Sequence, residues 1–266
     1  SQAKPSKPSQ AKPSQASQAK PSQAKPAPAA PQPPAQTNTQ PARSSMHDEG
    51  YIKFESDWTE GPSPSWYKIG ALAEWRQRLH EAGLIGAHPD GVGFGNISIR
   101  DNPPNQFLIT GTTTGHIKVL GPEHFTRIVK YDFDSNRVSC HGPITASSET
   151  MTHAAFYHAS RGINAVIHIH NADMWRTYQN VMPTTSPEVT YGTPEMAYEV
   201  IRLLKMKDRP SKQLLIMGGH EDGVLAYGNT LGQAATTLLN CCDGMFRPGQ
   251  SCSNESRRTT SRSARK

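Results

Sequence analysis

Apolar positions first acquire a regular period after Ser65, where Ile69, Leu72, Trp75, Leu79 and Leu84 recur at helical spacing. Such a stripe predicts a helix with one buried face, opened by Pro64 and ended by Gly83 and Gly86. Beyond a glycine-rich turn at 91–95 the period shortens to two. Asn96-Ile97-Ser98-Ile99-Arg100 alternates as a strand, and 106–110 predicts a second. Residues 127–132 and 137–140 flank Asp134-Ser135-Asn136 as a hairpin. A helix follows over 149–159, then a buried strand over 164–170. Thr193 as N-cap and Pro194 at the first position open a helix that runs to Met206. Two more strands lie at 213–217 and 223–227. Thr230 and Gln233 form a capping box for a last helix through Leu239. Hairpins interleaved with helices predict an α/β fold whose largely antiparallel sheet is covered by helices on both faces.

The two ends of the chain break this pattern. Residues 1–45 are an imperfect repeat of Ser-Gln-Ala-Lys-Pro, and 246–266 are rich in Ser and Arg. Proline at such density cannot hold a helix or an inner strand. Without large apolar groups the repeat cannot offset its own ordering entropy. Both ends are expected to be disordered basic tails around one domain spanning 46–245. The charge supports this division. Residues 1–45 hold six Lys/Arg and no acid, and 246–266 hold six Lys/Arg and one Glu. The stretch between them has 16 basic and 21 acidic side chains, a net −5 against +6 for the whole chain. The basic balance therefore belongs to the tails and does not indicate a specific nucleic-acid partner.

Four cysteines, Cys140, Cys241, Cys242 and Cys252, form no CxxC pair and no disulfide framework. No run approaches the roughly 18 apolar residues that a membrane span needs. The first residues lack the apolar run of a secretory signal. A cytoplasmic protein without a membrane partner is the expectation.

Candidate chemistry centres on Ala165-Val166-Ile167-His168-Ile169-His170. Side chains two apart on a strand share a face, so His168 and His170 project together. They read either as ordinary strand-end histidines or as half of a zinc site. His220, in Gly218-Gly219-His220-Glu221-Asp222-Gly223, is a third candidate, since glycines let a turn bring it back to a neighbouring strand. Three histidines can hold Zn²⁺ and leave a position open. Glu221 and Asp222 read as solvated turn residues or as further ligands. Glu149 follows Ser147 and Ser148 at a predicted helix start, where Ser148 can act as cap and the helix end attracts anions. The small polar turns around Gly95-Asn96 and Thr112-Thr113-Thr114-Gly115 offer backbone N–H groups for anion nests.

Taken in order, these motifs resemble the class II aldolase/adducin family. The order is Gly95-Asn96-Ile97-Ser98-Ile99-Arg100, Leu108-Ile109-Thr110 through Thr114-Gly115, and Ser147-Ser148-Glu149 with His153 in the following helix. Then come His168-Ile169-His170, Tyr191-Gly192-Thr193, and His220 ahead of Gly223-Val224-Leu225. The resemblance implies a three-layer α/β/α fold with a mainly antiparallel central sheet, and a homotetramer. It implies Zn²⁺ on His168, His170 and His220, with Glu149 as the acid/base. Gly95, Asn96, Thr114, Gly115, Ser147 and Ser148 would cradle the phosphate of a small sugar-phosphate substrate. The implied reaction is aldol cleavage or formation through a metal-stabilised enediolate. Dehydratases and epimerases on the same site, and a non-enzymatic adducin-like binding module, are the alternatives that the family itself contains.

Overall fold

The computed structural model describes residues 50–208 and 210–243. The expected tails, 1–45 and 246–266, lie outside the described residues. The chain runs β1 (Glu55–Glu60), α1 (Trp66–Glu81), the short β2 (Gly86–Ala87) and β3 (Gly93–Phe94), β4 (Asn96–Arg100), β5 (Phe107–Thr110), β6 (Phe125–Asp132) and β7 (Arg137–Gly142). It continues with α2 (Thr150–Ala159), β8 (Ala165–His170), α3 (Ala172–Tyr178), α4 (Pro194–Leu204), β9 (Leu214–Ile216), β10 (Gly223–Gly228) and α5 (Leu231–Asp243).

The large sheet has the order β1-β7-β6-β5-β4-β8-β10-β9. Every pairing in it is antiparallel except that of β1 with β7. Two apolar clusters fill its two faces. One joins Val166 and Leu225 to Met151, Ala155 and Phe156 of α2 and to Met196, Ala197 and Val200 of α4. The other joins Ile167, Ile169 and Val224 to Ile69, Leu72 and Leu79 of α1 and to Ala234, Ala235 and Leu238 of α5. The result is the expected α/β/α sandwich. Strand β8 is buried along its whole length, so Val166 serves one cluster while Ile167 and Ile169 serve the other. Each such buried side chain contributes about 1.5–3 kcal/mol to the fold, which makes a one-residue slip of β8 costly and fixes the direction of its histidines.

Two elements carry no apolar period and were not expected. β1 has the sequence ESDWTE and is exposed throughout. Backbone pairing to β7 holds it, together with ion pairs from Arg137 to Glu55 (2.6 Å) and Asp57 (3.1 Å). Such a charged edge resists further strand addition. α3 buries Met174 and is capped by Asn171, whose side chain accepts from Met174 N–H at 2.8 Å. Boundaries shift slightly elsewhere: α4 stops at Leu204 rather than Met206, and α5 continues to Asp243 rather than Leu239. Thr193 caps α4 through Met196 N–H. At α5, Thr230 accepts from Gln233 N–H at 3.2 Å, but the Gln233 side chain reaches back to Asn229 N–H. No helix among the described residues is long and apolar enough to cross a membrane.

Candidate metal centre and anion cradle

Register decides where the strand histidines point. His168 lies between Asn96 of β4 and Leu225 of β10, and His170 lies opposite Gly223. His220 arrives from the β9–β10 connection. There Met217 N–H donates to Gly223 O at 3.0 Å, and Gly223 N–H returns to His220 O at 3.0 Å, with Asp222 left-handed at φ +64°. Gly218 and Gly219 permit the tight course, because a Cβ on them would lie 2.1 Å from Thr185 O and 2.0 Å from Val189 O. The Glu221-Asp222 pair is thus absorbed in the loop. Glu221 is exposed, and burial pushes the Asp222 carboxyl above its usual range.

The three imidazoles converge. Ring centroids lie 5.0 Å apart for His168–His170, 5.3 Å for His168–His220 and 4.7 Å for His170–His220. One nitrogen from each ring falls within 4.8 Å of the other two. The Nε2 atoms of His170 and His220 face each other at 3.0 Å. Ligand nitrogens on a tetrahedral zinc ion stand about 3.3 Å apart, given metal–nitrogen bonds of about 2.0–2.1 Å. Donor type, burial and spacing therefore fit a divalent metal. Glu149 is 2% exposed and places Oε1 3.8 Å from His220 Nε2. On the outer side the Tyr191 ring lies 4.8 Å from the His220 ring, and the Phe94 ring lies 5.4 Å from that of His170.

Beside this cluster is a small polar pocket. Gly95, Asn96, Thr114, Gly115, Ser147 and Ser148 all line it, with Gly50, Gly93 and Gly111–Thr113 completing the wall. Close backbone approach requires the glycines. Gly95 has φ +76°, and a Cβ on it would sit 3.1 Å from His168 O. A Cβ on Gly115 would lie 2.4 Å from Gly86 O and 2.8 Å from Gly93 Cα. The helix start differs by one residue from expectation. Ser147 O accepts from both Thr150 N–H and Thr150 Oγ1, so the N-cap falls on Glu149 rather than Ser148. That leaves both serines in the pocket wall and Glu149 at the helix end between pocket and imidazoles.

Two supports have contacts that the sequence did not announce, although His153 stood in the motif after Glu149. Arg76, rather than Trp75, completes the buried stripe of α1, and it is 1% exposed. Its guanidinium donates to Thr114 O and Gly115 O at 2.8 Å each, to Lys118 O at 3.0 Å and to Ile117 O. Burial lowers its pKa to about 10. The signal was present: 69, 72, 76 and 79 follow the three-four spacing of a buried face more closely than a stripe through 75 does. The second support is His153. Its Nδ1 lies 2.6 Å from Ser98 Oγ, which lies 2.7 Å from Tyr157 OH. This network ties α2 to β4, and burial lowers the His153 pKa to about 3. Lys53, whose Nζ sits 3.7 Å from the centroid of the Tyr191 ring, lies in a stretch with no period to announce it.

Comparison with known proteins agrees with this architecture. A search of curated proteins finds no match. Among solved structures, an L-fuculose 1-phosphate aldolase is similar with a TM-score of 0.51 at 21% identity, over 67% of this chain and 84% of that one. A sugar-phosphate aldolase from Thermotoga maritima gives 0.49 at 16% identity, over 66% of this chain and 90% of that one. YgbL from Escherichia coli gives 0.48 at 18%, over 65% and 84%. At these identities the first likeness speaks to fold. The family profile described as "Class II Aldolase and Adducin N-terminal domain" matches residues 71–242, which hold the three imidazoles, Glu149 and all six of the expected cradle residues. On that match the chain belongs to the class II aldolase and adducin N-terminal domain family.

Proposed function

We propose that this chain is a zinc-dependent aldolase acting on a small sugar phosphate. The observation that carries this reading is the convergence of three buried imidazoles and one carboxylate beside a glycine- and hydroxyl-lined pocket. His168, His170 and His220 would hold the metal. A bound divalent ion would supply Lewis-acid polarisation of the substrate carbonyl. The remaining work falls to the chain. Hydroxyls of Ser147, Ser148 and Thr114 and the N–H groups of the glycine turns would bind the phosphate. The N-terminal end of α2 adds its favourable potential for an anion. The carboxylate of Glu149 would take and return the proton that cleavage displaces.

The test joins metal analysis to a product assay on a panel of ketose phosphates. The purified chain is expected to carry about one zinc per subunit, the single-site stoichiometry of such centres. Release of an aldehyde and a ketone-bearing fragment supports the aldolase. Loss of water without cleavage, or inversion at one carbon, would instead indicate a dehydratase or an epimerase. His168→Ala and His220→Ala are expected to lose the metal while staying folded. Full metal retention in either removes that residue from the ligand set. Glu149→Gln should keep the metal and lose turnover by about 10²–10⁴-fold. A wild-type chain that takes up no metal would point to an adducin-like binding module. Sedimentation tests the homotetramer, and localisation of the tagged chain tests the cytoplasmic assignment.

A further inference from the structure

Residues 50–54 precede the family-matched span, 71–242, yet they reach both parts of the site. Gly50 lines the anion cradle. Three residues on, Lys53 sets Nζ 3.7 Å from the centre of the Tyr191 ring. Tyr191 is 3% exposed, and its ring lies 4.8 Å from that of His220. The lysine backbone is fixed on this surface. Lys53 O accepts from Asn136 Nδ2 at 2.8 Å, Glu55 N–H donates to Asn136 O at 2.8 Å, and the Phe54 side chain is buried in the core. Beside the lysine stem, Gly192 has φ +68° and approaches Ser148 closely: a Cβ on it would meet Ser148 O at 2.8 Å and stand in ordinary contact with Lys53 Cβ at 3.9 Å.

The three histidines differ in how they are held. His168 and His170 sit in a strand paired on both sides or one, with their direction set by the ladder. His220 sits in a loop, so its ring orientation depends on what packs against it. A cation centred over an aromatic ring is held by the ring's quadrupole, most strongly where water is excluded. An outer group that fixes the orientation of a ligating imidazole contributes measurably to metal affinity. We propose that Lys53 is a positioning residue: through its contact with Tyr191 it holds the His220 ring in the orientation needed for a metal ligand. This rests on the reading of His220 as a ligand.

The test is a Zn²⁺ titration of the metal-free full chain against a chromophoric chelator, with urea unfolding of the metal-free protein as a separate measure of folding. Lys53→Met should weaken Zn²⁺ binding by about three- to tenfold. Tyr191→Leu should do at least as much, and the double variant should be no weaker than Tyr191→Leu alone. Lys53→Arg, which keeps the cation, and Tyr191→Phe, which keeps the ring, should bind Zn²⁺ as the wild type does. If Lys53→Met does not fold, Lys53→Gln reads the same contact. Wild-type affinity in the variant that has lost the cation overturns the proposal, as does equal weakening by Lys53→Arg and Lys53→Met. A wild-type chain that binds no Zn²⁺ overturns the metal reading itself, a result distinct from either.

Discussion

The anion cradle and the imidazole cluster are neighbours at one end of the sheet, but they are built by opposite means. The cluster consists of side chains whose directions come largely from strand register, and two of its three members lie in β8, an interior strand paired on both sides. The cradle consists mostly of turns and strand ends, with glycines forming much of the wall and hydroxyls most of the rest. A turn has no ladder to hold it. Here the buried guanidinium of Arg76 takes that place, binding four carbonyls of one loop from beneath. The difference teaches where each half is vulnerable. Damage to the cluster should remove metal and leave the fold standing, whereas damage to the cradle should first cost stability.

The largest effect is expected at Gly115. An added Cβ would fall 2.4 Å from Gly86 O, 2.8 Å from Gly93 Cα and 2.9 Å from Phe94 N. All three are backbone atoms, so no side chain can swing aside. Gly115→Ala should lower the free energy of unfolding by about 3 kcal/mol or more, read by urea denaturation. A variant of wild-type stability would show that the cradle wall yields easily and would end the contrast drawn above.

Arg76→Met comes next. It preserves much of the apolar stem but takes the guanidinium donor from the carbonyls of Thr114, Gly115, Ile117 and Lys118, of which Thr114 O keeps Ile117 N–H. A cost of about 2–3 kcal/mol is expected. Inorganic phosphate sharpens the comparison. A ligand that binds only the folded state raises the unfolding midpoint, so phosphate should stabilise the wild type and do so much less for Arg76→Met. Zn²⁺ uptake by the variant should be unchanged. Joint loss of phosphate and metal binding would mean that the two halves are not independently supported.

How far the sequence announced all this depends on the kind of support each residue uses. The strands β4, β8 and β10 follow apolar periods, and the pairing of His168 with His170 follows from alternation alone. Their approach to His220 could not be read from periodicity, because it depends on a detour through α3, α4 and β9 ending in two glycines that pack against the 185–189 backbone. Motif order supplied that link through the family resemblance. Arg76 was hidden by the habit of assigning charged residues to solvent, although its position fits the buried stripe. β1 was illegible for a different reason: its exposed, charged residues are held by backbone bonds and ion pairs, which leave no apolar pattern.

The smallest effect concerns the joint between the two halves. His153, one turn beyond Glu149 on α2, reaches Ser98 on β4, and the same serine reaches Tyr157. These three residues are 2% exposed or less, so protonation of His153 would place a charge in the core. Its pKa, lowered to about 3 by burial, means that the folded chain keeps this ring neutral at pH values where the unfolded chain protonates it. Between the ordinary histidine pKa of about 6.5 and that lowered value, the unfolded state binds the extra proton. Stability from this group is therefore complete above about pH 6.5 and declines as the pH falls towards 3. The loss should reach about 1.4 kcal/mol between pH 7.5 and 5.5. Because the other histidines titrate too, the measurement is the difference between wild type and His153→Gln. The variant should be less stable at pH 7.5 and should lose less stability on acidification. Equal slopes in the two proteins would mean that His153 is protonated in the fold, and that the α2–β4 joint carries a charge which Ser98 and Tyr157 must hold.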